Sequence, residues 1–495
     1  MSAENTSNSK PRLWRNWLSF AGGVVALGSF FAFLLLFAMD LFAHSGNPYM
    51  GILAYVVAPC FLFLGAGMWG LGVWFQRRHA RKVGDTSEPD LPSMLSVDLS
   101  RPADRKKLRL FVVGSLIFLL CTAIGSYQSY HVSESVQFCG QACHGPMKPE
   151  FTAYQYSPHA RVACVDCHVG HGAGAFVAAK MNGIHQLLGV MTGDYDRPIK
   201  TPIRNLRPAR ETCERCHWPS KFSGNLDRTY KHFLTDETNT PYSVRLSLNV
   251  GGADPRTGPI GGIHWHVSAD NKIEYIATDD RRQVIPWVRV TDPKGVATEY
   301  RTPKFTNDIS QYEIRVMDCM DCHNRPSHRY RTPNDMVDFA MSTGKIDPQL
   351  PWVKSNAVAA LIVKYETETE ALAKIESRLR ASYPNHAAAN DLITHVQTIY
   401  RQNFFPEMKV DWRAYPENIG HKEWPGCFRC HDGKHVAAAT PNKKQIPASD
   451  CESCHSIIAQ GNAEELNLIS PAGQKFKHPG DEVDGACNDC HTGGL

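Results

Sequence analysis

The stretch "ARVACVDCHVGHG", residues 160–172, sets Cys164 and Cys167 three positions apart and places His168 directly after the second cysteine. The same pattern recurs at Cys213/Cys216/His217, Cys319/Cys322/His323, Cys427/Cys430/His431, Cys451/Cys454/His455 and Cys487/Cys490/His491 in a chain of 495 residues. A seventh copy, Cys139/Cys143/His144 in "ESVQFCGQACHGPM", has one residue more between its cysteines. Fourteen of the sixteen cysteines are used in this way. The other two, Cys60 and Cys121, sit in apolar stretches and read as inert buried thiols.

This spacing has a chemical reason. Two thioethers fix the vinyl groups of a porphyrin, and the adjacent histidine turns under the ring to ligate iron. Zinc also uses Cys-x-x-Cys pairs, but it does not demand histidine at once after the second cysteine, and here that histidine follows all seven pairs. Seven disulfides closing such short loops would be an unusual framework. The pattern therefore predicts seven covalently attached c-type haems.

Residues 17–43, 49–75 and 108–130 are apolar runs, each longer than the roughly 20 residues a helix needs to cross a bilayer core. They predict three transmembrane helices. The tail 1–16 carries Lys10, Arg12 and Arg15, and the loop 76–107, with its margins, carries nine further basic residues; the link "HSGNP" has none. The positive-inside rule then puts the N-terminus in the cytoplasm and the haem motifs on the periplasmic side of a bacterial inner membrane. The cytoplasmic parts hold twelve basic residues against six acids, so the +4 of the whole chain leaves the outer part near −2. Exposed propionates would add to that, favouring basic soluble partners through steering. Nothing in this balance points to nucleic acid.

A low-spin carrier wants a second histidine on each iron, and the outer part has spare ones. His328, His421, His435 and His478 stand beside haem motifs, as in "CHNRPSHRY", "NIGHKEWPGC", "CFRCHDGKH" and "FKHPGD". His159 and His266 are further ligands by the same reasoning, and "GIHWHV" offers His264 as the alternative to His266. His386 and His395 fall in a helical stretch and read as ordinary helix residues.

The segments "SESVQFCGQACHGPM" and "EFTAYQYSPHARVACVDCHVGHG" resemble the NapC/NirT/NrfH membrane cytochromes over roughly residues 108–225. Seven haems behind three spans is most similar in architecture to the ImcH-type inner-membrane cytochromes. The resemblance implies a first haem at the membrane surface beside a quinol site. It implies a methionine shortly after the first motif as an iron ligand, here Met147. The longer cysteine loop and the position of Met147, three residues after His144 rather than two, leave His144 and Met147 both open. It also implies quinol-site residues just after the second motif, where this chain has Lys180, Asn182 and His185.

The outer part divides into a trihaem segment 131–228, a cysteine-free β-rich insertion 229–315, a haem-four segment 316–350, a helical brace 351–405 and a C-terminal trihaem segment 406–495. The expected fold is a membrane-anchored multihaem cytochrome c, a mainly α/loop haem-packed outer domain with a β-rich insertion. The expected function is oxidation of menaquinol or ubiquinol. Electrons would be relayed to a periplasmic c-type cytochrome or another redox partner in anaerobic or extracellular respiration. The alternative is a haem wire, an electron-transfer subunit whose partner oxidises the donor. A terminal reductase would need an open iron site, and the first haem lies at the wrong end of the chain for a soluble substrate.

Overall fold

In the computed structural model the described residues are 17–43, 57–83, 100–142, 144–170, 173–203, 207–251, 261–437, 444–448, 451–480, 483 and 485–494; Cys121, His144 and Cys451 are described by backbone alone. The expected tail 1–16, the beginning of the second apolar run, most of the cytoplasmic loop and Cys143 lie outside them. The chain divides into two compact units, residues 1–134 with 169–185, and 135–168 with 186–495.

In the first unit the apolar runs fold as helices α1 (Trp17–Ala43), α2 (Ala58–Val83) and α3 (Pro102–Ser133). Among the described residues, Ala58–Arg78 is long and apolar enough to cross a membrane, and Leu18–Leu34 is a shorter apolar helix. Small residues let α1 and α2 touch backbone to backbone. A Cβ on Gly22 would lie 2.4 Å from Trp69 N and 2.6 Å from Gly65 O, and one on Gly65 would lie 2.5 Å from Ala26 N. Gly22 and Ala26 form the small-xxx-small spacing that suits helix contact in an apolar medium. Ser19 Oγ donates to Trp69 O across the same seam at 3.1 Å. Cys60 is exposed on α2, so the expectation of a buried thiol fails there.

The second unit opens with a π-helical turn, Phe138–Ala142, and then α4 (His144–Gln155). A π turn carries one more residue than an α turn, so it absorbs the additional residue between Cys139 and Cys143. Gly140 is buried in it against the Phe151 ring, where a Cβ would fall 2.1 Å from Phe151 Cδ2. Helix α5 (Ala173–Thr192) follows the second motif and is shared between the two units.

Two antiparallel sheets come next. Strands β1 (Asn225–Phe233) and β2 (Pro241–Asn249) belong to one sheet. Strands β3 (Lys272–Ile276), β4 (Trp287–Thr291), β5 (Ala297–Arg301) and β6 (Arg315–Val316) belong to the other. The turn after β4 is held by Asp292, whose Oδ1 accepts from Lys294 N and Val296 N, and Gly295 sits at φ +80° where a Cβ would be strained. Strand structure is not confined to the insertion. β7 (Val436–Ala437) pairs with β5, and β8 (His455–Gly461) pairs with β2, giving the orders β6-β3-β4-β5-β7 and β1-β2-β8. Each late strand occupies an edge that would otherwise be open, and β8 begins on the histidine of the sixth motif.

The largest apolar core lies in α6 (Pro333–Ser342), α7 (Val353–Leu361), α8 (Glu368–Ser382) and α9 (Ala389–Asn403). Ala371, Ile375 and Leu379 line α8, and Leu392, Val396, Ile399 and Tyr400 line α9, the helical spacing that puts one face inward. Thr332 and Thr367 cap α6 and α8 by accepting from Asp335 N and Glu370 N. This core contains none of the haem motifs and stands beside them as a conventional scaffold.

Candidate haem-iron centres

Six motif histidines each face a second histidine. His168 faces His328 at 6.0 Å between ring centroids, and His217 faces His159 at 6.0 Å. His323 faces His264 at 6.5 Å, and His431 faces His266 at 5.8 Å. His455 faces His421 at 6.2 Å, and His491 faces His478 at 6.1 Å. A metal–imidazole bond of about 2 Å on either side, plus about 1 Å from each nitrogen to its ring centre, puts two axial rings about 6 Å apart. The six separations fit one iron between each pair. Among the described residues no cluster of three or more His, Cys, Asp or Glu side chains is arranged around a bare metal ion, as a zinc site would require.

The nitrogens are oriented for this use. Nδ1 lies 3.2 Å from Pro326 O in His159, 2.6 Å from Val250 O in His264 and 2.8 Å from Ile263 O in His266. It lies 3.0 Å from Glu150 O in His328 and 2.7 Å from Pro447 O in His431. A carbonyl at Nδ1 fixes the neutral tautomer that leaves Nε2 free to ligate. Burial, and then the facing His328, hold His168 below the usual imidazole range; burial is also the main cause of the lowered values of His266, His323, His421, His455 and His491. Neutral rings are the ligating form.

His264 and His266 share one 3-10 turn, Ile263–Val267, and face different motif histidines, His323 and His431. Trp265 between them packs against the second-sheet core of Tyr275, Val288 and Tyr300. One short turn of the insertion thus reaches two centres, the fourth and the fifth, where the sequence offered its two histidines as alternatives.

His435 is different. It is buried, with Nδ1 2.8 Å from Asp432 Oδ1 and Nε2 2.7 Å from Ile285 O. Both nitrogens are occupied by acceptors and neither faces a motif histidine. Its closeness to the fifth motif in sequence comes from a turn that folds it back on Asp432. His328, five residues after the fourth motif, stands opposite the second motif instead.

Arg325 supports His328. Its Nε donates to His328 O at 2.8 Å, and its Nη2 reaches Glu150 Oε1 and Oε2 at 3.2 and 3.1 Å. The guanidinium lies over the rings of Tyr415 and Tyr330, 4.2 and 5.2 Å from their centroids.

Thiols of successive motifs lie within reach of one another. Cys164 shares a hydrogen bond with Cys139, and the Cys167 thiol is raised by burial and then by Cys213. Burial and then Cys213 raise Cys319 to about 11, and Cys322, raised by burial to about 12, also feels Cys427. Motifs one to five therefore follow one another in space as in sequence.

At the first motif Cys143 and the His144 side chain lie outside the described residues. Met147 is half-buried on α4, and no axial pair is described there. Cys216, Cys490 and Cys487 are at least partly exposed, as are Cys430 and Cys454; of Cys451 only the backbone is described. On α5, Lys180 is half-buried, whereas Asn182 and His185 are exposed. Lys180 Nζ donates to Ser133 O at 3.1 Å and Ser133 Oγ at 3.2 Å and stands 3.1 Å from Glu134 Oε1. Reading the sequence missed Glu134, since a single acid before the first motif forms no pattern. Met181, Ile184, Leu188 and Met191 are exposed along one face of the same helix.

Comparison with known proteins follows the same line. The N-terminal region of the NapC/NirT cytochrome c family matches residues 101–211. Over 499 residues the chain is 40% identical to "Cytochrome c-type protein ImcH" of Geobacter sulfurreducens, covering 97% of this chain and 95% of that protein. No solved structure matches the chain.

Proposed function

The chain belongs to the NapC/NirT cytochrome c family, and from that membership we propose that it is a membrane-anchored heptahaem quinol dehydrogenase. It takes electrons from menaquinol or ubiquinol and passes them to a periplasmic redox partner. A cytochrome c of this family binds haem c covalently; when bound, the haems supply one-electron steps, so a two-electron donor is oxidised in two withdrawals.

The observation that carries the reading is the series of six histidine pairs spaced for a shared iron. We assign His168/His328, His217/His159, His323/His264, His431/His266, His455/His421 and His491/His478 as axial pairs of haems two to seven, with His144 or Met147 at haem one. Bis-histidine sites have no open position for a substrate, which favours a relay over a terminal reductase. The apolar α2 supports anchoring. The apolar face of α5 suits the surface of a bilayer, and the Lys180 ammonium beside it is a donor for a quinol oxygen.

The experiment is anaerobic mixing of the purified holoprotein with a menaquinol analogue while the haem absorbance is followed. Rapid reduction is expected. Reduction by dithionite but never by quinol refutes the proposal, and reduction restored only by a co-purifying subunit makes the chain that subunit's haem wire.

A further inference from the structure

On the reading of quinol oxidation, we propose that Glu134 is the proton acceptor of the quinol site and that Lys180 holds it in place. Oxidation of a quinol to a quinone releases two protons and two electrons, so a site that oxidises it needs a base beside the hydroxyl. Lys180 as an ammonium donates and cannot accept, and the Asn182 amide does not take a proton at neutral pH. His185 is exposed on α5. Glu134 is the carboxylate in contact with Lys180, its side chain 13% exposed.

Its position is costly without a purpose. Glu134 is the C-cap residue of α3, where the negative end of the helix dipole opposes an anion. The Lys180 ammonium at 3.1 Å offsets that cost. Yet Glu134 Oε1 is buried and accepts no aligned hydrogen bond, so the contact is one of charge and leaves lone pairs unused. A buried carboxylate whose lone pairs are not all occupied can accept a further donor, and a quinol hydroxyl is one.

In the step the quinol O–H bond breaks, its proton goes to the Glu134 carboxylate, and its electron goes to a ferric c-type haem. Glu134 then releases the proton to water and accepts the second one as the second electron leaves, giving quinone.

The test uses the full-length holoprotein with a menaquinol analogue, with dithionite as the control reductant. Glu134→Gln is expected to lower kcat for quinol at least about 100-fold, the lower end for loss of a general base, with KM little changed. Reduction by dithionite and the haem spectra stay as in the wild type. Glu134→Asp keeps part of the rate, and added formate restores part of it in Glu134→Ala, which a merely structural carboxylate would not allow. A Glu134→Gln rate within about twofold of wild type overturns the assignment while leaving the quinol reading intact. Wild-type protein inert to quinol overturns both.

Discussion

Replacing Arg325 by Met keeps an unbranched apolar stem but removes the guanidinium that ties Glu150 to the backbone of His328. The pair is well buried, with side chains 9% and 14% exposed. Removing one partner from such a pair leaves an uncompensated charge and costs about 3–5 kcal/mol, a large share of the roughly 5–15 kcal/mol that holds a domain folded. His328 Nδ1 keeps Glu150 O at 3.0 Å and Glu150 Oε2 at 3.2 Å, so what His328 loses is the donor that anchors its backbone carbonyl. Denaturant unfolding followed by circular dichroism should show a lower midpoint. EPR of the oxidised protein should show part of one haem, the second, turning from low to high spin. Adding Glu150→Gln to Arg325→Met removes the stranded charge and should recover part of the loss, so the double-mutant cycle reports a coupling of about 1–3 kcal/mol. A single variant with an unchanged midpoint and the wild-type spectrum would refute the reasoning.

Three further outcomes are expected. His264→Ala should open the fourth haem to added imidazole or cyanide, whereas His435→Ala should leave the spin state of every haem as in the wild type; EPR separates the two, and the reverse result would overturn the axial assignment. Glu423 is raised to about 7 by burial and by neighbouring Asp335. The folded chain therefore binds more protons than the unfolded chain between about pH 4.5 and 7, and stability falls as pH rises through that window, by about 3 kcal/mol in all. Denaturation midpoints against pH should show that decline, and Glu423→Gln should flatten it. Gly22→Val forces a side chain onto the backbone of α2 and should destabilise the helix pair by about 1–3 kcal/mol, read as a lower thermal midpoint of the detergent-solubilised protein.

The iron motifs were legible because thioether attachment is local chemistry with a fixed spacing. Axial pairing is a tertiary matter, and proximity in sequence was a poor guide to it. His328 follows the fourth motif but faces the second, and His435 follows the fifth but hydrogen-bonds to Asp432 and Ile285. Apolar length announced the first helices, though the second runs on into the basic residues Arg77 to Lys82. The recruitment of β8 to β2 could not be read, since edge pairing depends on which strand is left open. The widened first motif was visible as an anomaly, and its π-helical turn supplies the physical reason.

The pairing of His168 with His328 also orders the making of the protein. On the axial assignment proposed above, the second iron cannot reach its final coordination until residues long after its own motif have been synthesised and threaded back. The second haem must be stored unfinished, whereas the distal histidines assigned to haems three to seven each precede their motif and are already made when it emerges; the second centre alone is closed by a loop that returns from later residues.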